Sequence, residues 1–203
     1  MKDYNNLTPK DGEILVRTAR KVVTEYLKTG VKPKLEKQFQ EDFSFNSGVF
    51  VTLNSDSGLR GCIGYPLPDK KLFNALEDAS IAAATEDPRF PSVKSKELES
   101  ITFEVTVLTP PEKISVNKPE EYLSKIRVGR DGLIVRNGFN SGLLLPQVPV
   151  EYNWNEREFL EYTCEKAGLS KDYWKNPNTE IQKFEGIVFK EEEPNGNIIR
   201  DVL

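Results

Sequence analysis

The sequence predicts an α+β protein, on three observations. Short runs of alternating apolar and polar residues occur in pairs joined by polar, glycine-containing turns, the pattern of β-hairpins. Longer stretches with helical spacing stand between them. The order hairpin, helix, strand also occurs twice. Gly132-Leu133-Ile134-Val135 followed by Ser141-Gly142-Leu143 echoes Gly48-Val49-Phe50-Val51 followed by Ser57-Gly58-Leu59, each at an offset of 84. The expectation is a single domain over residues 1–203 with an internal repeat at about 48–109 and 132–190. Its two hairpin-helix-strand units would form a largely antiparallel sheet of about six strands flanked by helices, as two intimate subdomains with a cleft.

Taken in order, the first element is a helix over Pro9–Thr29. Thr8 caps it, Pro9 suits its first position, Asp11 sits in the electropositive first turn and Gly30 stops it. Its buried stripe is Ile14, Leu15, Ala19, Val22 and Tyr26. Residues 32–42 mix Lys and Glu around Pro33 and read as a solvated connector. Strands follow at 48–53 and 59–65, closed by Pro66 and Pro68, then an alanine-rich helix over 69–86, stopped by Asp87-Pro88-Arg89-Phe90-Pro91. A strand over 101–109 puts Ile101, Phe103, Val105 and Val107 on one face and Thr102, Glu104 and Thr106 on the other. In the second half, Leu145–Trp154 is a proline-stiffened, partly aromatic connector. A helix over 153–167 is capped by Asn153 and closed by Gly168, Cys164 lies in the core, Tyr173-Trp174 is a packing pair and a strand covers 181–189. The acidic tail from Glu191 reads as mobile, with Ile198, Ile199, Val202 and Leu203 available to dock.

Composition narrows the function. The 28 Lys and Arg against 32 Asp and Glu give a net charge of -4, so no overall basic field exists to hold a nucleic acid. No apolar run approaches the length of a membrane span and the first residues lack a signal-peptide pattern, which points to a cytoplasmic protein. The chain has no histidine. That removes Ser-His-Asp and Cys-His catalysis and the His-Glu-x-x-His zinc motif, leaving Asp, Glu, Lys, Tyr or Cys, a bound metal's water or the substrate's own groups for any proton transfer. Cys62 and Cys164 belong to no Cys-x-x-Cys pair, so no metal site is expected.

The stretch with the most chemistry is Leu59-Arg60-Gly61-Cys62-Ile63-Gly64-Tyr65. In a regular strand Leu59, Gly61, Ile63 and Tyr65 face the core while Arg60, Cys62 and Gly64 face outward. Arg60 would then lie beside Cys62, favour its thiolate and orient an anionic ligand, with Cys62 as a candidate nucleophile. Gly61 and Gly64 would let a ligand approach the backbone, and Glu104, Asp87 and Arg89 complete the candidate ligand-binding set. Against this, a free cysteine is most often a small buried hydrophobe, and strand glycines also mark bulges, which would break the face assignment. Under the offset of 84, Arg60 and Cys62 correspond to Leu144 and Pro146, so any site is confined to the first half.

Leu59–Gly64, Asp87-x-Arg89-Phe90, Leu108–Glu112, Gly129-x-x-Gly132-Leu133, Leu145–Val148 and Trp154 together resemble the AMMECR family, named for the Alport syndrome, midface hypoplasia and elliptocytosis chromosomal region. The resemblance covers nearly the whole chain and identifies a prokaryotic-type member. It implies a duplicated α+β fold with a cleft near the hexapeptide, and no particular reaction or cofactor. It also implies an association with Memo-like and radical-SAM proteins, hence a place in a modification pathway. Many members carry a histidine immediately before Gly132-Leu133, where this chain has Asp131, so a mechanism needing that histidine does not carry over. Two readings follow: a small- or anionic-ligand site beside Arg60 and Cys62, catalytic or not, and a non-catalytic protein- or RNA-binding module.

Overall fold

The computed structural model describes residues 2–201. In chain order the elements are α1 (Pro9–Thr29), α2 (Lys37–Asp42), β1 (Val49–Ser55), β2 (Gly58–Tyr65), α3 (Leu72–Thr85), β3 (Thr102–Leu108), β4 (Glu112–Lys113), α4 (Tyr122–Lys125), β5 (Asp131–Asn137), β6 (Asn140–Leu144), α5 (Gln147–Glu151), α6 (Glu156–Lys166), β7 (Glu180–Glu191) and β8 (Ile198–Asp201). The fold is α+β with antiparallel strands, as the sequence predicts. Packing divides the chain into two units. Unit 1 runs to Thr109 and resumes at Ile187, and unit 2 is Pro110–Gly186.

In unit 1, α1 begins with a reciprocal cap: the Thr8 hydroxyl accepts from the Asp11 amide at 3.3 Å, and the Asp11 carboxylate accepts from the Thr8 amide at 2.9 Å. It ends at Gly30, whose φ of 70° is left-handed backbone that glycine adopts without strain. Leu15, Val16, Ala19, Val22 and Val23 bury its inner stripe, while Ile14 and Tyr26 are only half-buried. Strands order β2-β1-β3, followed by the second half of β7. The core-facing side chains Val49, Val51 and Leu53 of β1 and Phe103, Val105 and Val107 of β3 pack in one cluster with α1 and α3. Arg20 crosses this core and is one of its few buried charges. Its guanidinium grips the Glu191 carboxylate with two hydrogen bonds and donates to the Leu98 and Ile101 carbonyls, while the Phe103 amide also donates to Glu191, at 3.0 Å.

In unit 2, β5 pairs with β6 on one side and with the first half of β7 on the other. Leu133, Val135, Ile181, Phe159, Leu160, Cys164 and Trp174 form the core, so Cys164 and Trp174 are packing residues as expected. Asp131 is fully buried here. It accepts from Arg130 Nε at 2.7 Å and Nη2 at 3.0 Å and from the Arg127 amide at 2.8 Å.

Several expectations are corrected. The 32–42 segment is no free connector: α2 buries Phe39, and Phe43 follows it into the core, each such side chain contributing about 1.5–3 kcal/mol. Residues 145–154 are not a plain connector, because α5 forms within them, and α6 is capped by Asn155 instead of Asn153. The tail is not loose: β8 pairs with β7 from Val188↔Asp201 to Glu191↔Ile198, while Val202 and Leu203 lie outside the described residues. The register also corrects the offset of 84. Leu53 faces Gly61 and Val135 faces Gly142, so Gly142 answers to Gly61 at an offset of 81, whereas Gly58, its counterpart under the offset of 84, sits at the end of the hairpin turn.

Candidate functional site

The site region is organised by one irregularity. Asn54 pairs with Leu59 and Leu53 with Gly61, so Arg60 has no opposite residue and forms a β-bulge. Beyond it the alternation holds. Gly61, Ile63 and Tyr65 stand opposite the core-facing Leu53, Val51 and Val49, and Cys62 and Gly64 share the outer face. Before it the alternation fails, and Leu59 is exposed instead of facing the core.

The bulge sends Arg60 away from the thiol. Its Nε and Nη2 grip Glu97 at 2.9 and 3.2 Å, and Nη1 donates to the Pro91 carbonyl at 2.9 Å. Glu97 becomes more acidic, mainly because this guanidinium stabilises its charge. Arg60 is therefore neither a neighbour activating Cys62 nor a partner of Glu104. It fastens β2 to the 91–97 segment.

Asp87 and Arg89 are a second structural clamp. Strand β2 is an edge, and its outward amide at Cys62 donates to Asp87 Oδ2 at 2.8 Å. Arg89 holds the same carboxylate through Nη2 at 2.7 Å, Nε at 3.0 Å and its own amide at 3.1 Å. These bonds, chiefly the guanidinium's, hold the Asp87 carboxyl well below the usual carboxylate range. Gly61 is a packing residue, since a Cβ there would lie 2.1 Å from the Ala83 carbonyl oxygen in α3. Gly64 makes room for the Phe50 ring. Neither glycine opens the backbone to a ligand.

What remains is a row across three strands on the outer face: Cys62 on β2, Thr52 on β1 and Glu104 on β3, joined by the pairings Thr52↔Cys62 and Thr52↔Glu104. The Thr52 hydroxyl donates to the Cys62 sulfur at 3.3 Å. All three side chains are half-buried. Burial pushes the Cys62 thiol up, helped by the charges of Glu104 and Asp87 and only partly opposed by Thr52 and Arg89. The thiol is thus protonated at neutral pH, unlike an activated nucleophile. Burial also raises Glu104, with the Lys190 cation pulling the other way and Asp201 adding to the rise. Among the described residues the Glu104 carboxylate makes no hydrogen bond, and its oxygens are not among the buried unpartnered atoms, so they are open to a donor from outside the chain.

Of the seven residues singled out in the sequence, the structure brings Cys62 and Glu104 to one face and gives Arg60, Gly61, Gly64, Asp87 and Arg89 structural partners. Thr52 escaped notice although β1 alternation and hairpin register both put it opposite Cys62. Among the described residues no group of three or more His, Cys, Asp or Glu could hold a metal, and no helix is long and apolar enough to cross a membrane.

The AMMECR1 family model matches residues 16–189, most of the chain and both units. The chain belongs to the AMMECR1 family. Curated relatives agree along the full length. Protein MK0488 of Methanopyrus kandleri is 53% identical over 195 residues, covering 95% of this chain and 94% of that one. Protein MJ0810 of Methanocaldococcus jannaschii is 51% identical over 199 residues, covering 97% and 98%. The crystal structure of the uncharacterized protein PH0010 from Pyrococcus horikoshii is similar at a TM-score of 0.85 and 51% identity, covering 95% of this chain and 97% of that one. The α+β fold is thus shared with a solved AMMECR1-like relative.

Proposed function

We propose that this AMMECR1-family chain is a cytoplasmic ligand-binding module whose contact surface is the outer face of β2-β1-β3. Glu104 and Cys62 receive a small molecule there that carries a hydrogen-bond donor such as an amide or amine. The observation behind this reading is the Glu104 carboxylate, half-buried, raised in proton affinity by burial and without a hydrogen bond among the described residues. A ligand donor supplies the missing bond, and the thiol and Thr52 form the adjoining contact. The raised Cys62 supports binding over resting nucleophilic catalysis. An anionic ligand gripped by Arg60 is not favoured, since Glu97 and Pro91 occupy that side chain. The association with Memo-like and radical-SAM proteins that the family implies supports reading the ligand as an intermediate of a modification pathway.

The test is to incubate wild type and Glu104→Ala with the small-molecule fraction of cell extract, wash, and identify released compounds by mass spectrometry. The expected result is a species retained by wild type and lost from the variant, with amide shifts confined to β1, β2 and β3 in nuclear magnetic resonance spectra. Identical retention by both proteins would overturn the proposal.

A further inference from the structure

We infer that unit 2 carries an anion site for a phosphorylated small molecule, formed by Lys113, Lys125, Arg127, Arg130 and Lys183. These five cations line a cavity of about 520 Å³, and no carboxylate is among its lining residues. That concentration stands out in a chain whose net charge is -4. The site joins three pieces of backbone. Lys113 on β4 pairs across to Gln182 on β7, next to Lys183; Lys125 ends α4; and Arg127 and Arg130 belong to the turn before β5.

Four of the five charged side chains have partners, and the set is incompletely neutralised. Lys113 has Glu180 at 3.4 Å, Arg130 has Asp131 at 2.7 Å and Glu185 at 3.4 Å, and Lys183 has Asp131 at 3.8 Å. Five cations thus meet three carboxylates, an excess of two. Lys125 is tied to the Ser115 carbonyl at 2.6 Å, and Lys183 to the Lys125 carbonyl at 3.2 Å, contacts that fix an ammonium without cancelling its charge. Arg127 is exposed, and among the described residues its guanidinium has no partner. Its backbone is fixed all the same, because the amide donates to Asp131 and the carbonyl accepts from the amides of Arg130 and Asp131. A planar, five-donor group on a backbone-anchored turn, lining one cavity with three lysines, suits bidentate grip on phosphate oxygens.

Size and charge set the ligand class. The cavity lies in the range of small-molecule sites, and the basic surface is local, without the extended field that a nucleic-acid strand requires. The ligand is a compact phosphate or diphosphate ester.

The probe is inorganic pyrophosphate, titrated calorimetrically into the full chain. The expected result is one saturable site with a dissociation constant below about 1 mM at low salt, weakened roughly tenfold between about 50 and 200 mM NaCl. Arg127→Gln, which removes no hydrogen bond of the fold, should weaken binding about tenfold, and Lys113→Gln severalfold. Lys37→Gln, at an exposed lysine of α2, should change nothing. No saturable binding, or equal losses in all three variants, would overturn the site. A single-stranded oligonucleotide of about ten residues that binds more tightly than pyrophosphate, with a steeper salt dependence, would overturn the small-molecule class.

Discussion

Strand pairing allows the hairpins of the two units to be compared rung by rung. In unit 1 the rung Gly61–Leu53–Phe103 faces the core, and the next, Cys62–Thr52–Glu104, faces outward. In unit 2 the rungs at the like places of β6-β5-β7 are Gly142–Val135–Ile181 and Leu143–Ile134–Gln182, the second with Ile134 fully buried. The inward rungs use one device. A glycine lets the second hairpin strand meet the C-terminal end of a helix that follows the hairpin in sequence, with Gly61 against Ala83 and Gly142 against Lys166 and Ala167. The adjoining rungs differ in kind. A thiol, a hydroxyl and a carboxylate stand where unit 2 has two aliphatic side chains and an amide, and Gln182 already donates to Glu180 at 2.7 Å. The polar row of unit 1 is thus set apart from the glycine packing that both units share.

The comparison can be broken at several levels. The largest effect should come from the buried carboxylates. Glu191 is shut away beneath a buried arginine, whereas Asp131 is gripped by an arginine that is 38% exposed and can turn to water. Glu191→Gln should cost about 3–5 kcal/mol and Asp131→Asn about 1–3 kcal/mol, measured by denaturant unfolding. Equal costs would show that the two arginines are buried alike in solution. Next come the glycines. Gly61→Ala and Gly142→Ala each force a methyl into backbone atoms and should destabilise by about 1–3 kcal/mol. A neutral Gly142→Ala would dissolve the equivalence of the inward rungs.

A smaller effect lies in acid. Asp87 is more acidic in the folded chain than in the unfolded one, so its stabilisation is complete above the unfolded value near 3.9 and is lost as pH falls toward the folded value. Unfolding midpoints followed downward from about pH 6 should therefore decline less in Asp87→Asn than in wild type. A decline of equal steepness would remove Asp87 as an acid-sensitive clamp. The smallest effect is on chemistry alone. Alkylation of Cys62 should titrate above an ordinary cysteine, and Glu104→Gln should move its midpoint downward by removing a repelling charge. Cys164, fully buried, serves as the unreactive reference. An unmoved midpoint would mean that the outward rung is not electrostatically coupled.

What the sequence made legible was local. The Thr8 cap, the Gly30 stop, the alternation of β1 and β3 and the burial of Cys164 depend on neighbours a few residues away or on a single period. Arg60 shows where this ends. Its partner Glu97 is 37 residues distant and reached only through a bulge, and a one-residue slip in a strand reassigns every side chain before it. The offset of 84 misleads about packing, because the Ser-Gly-Leu identity aligns a turn glycine with a packing glycine. The basic cavity left no signature, since its five cations come from segments spread over residues 113–183, each ordinary in isolation.

Strand β7 has a consequence for the order in which the chain can become itself. Its first half completes the pairing of unit 2, while its second half supplies Glu191 to Arg20 in unit 1 and receives β8. On a ribosome, α1, the first hairpin, α3 and β3 are all made before the carboxylate that neutralises their buried arginine, which arrives only after the whole of unit 2. Unit 1 is first to be synthesised and last to be finished.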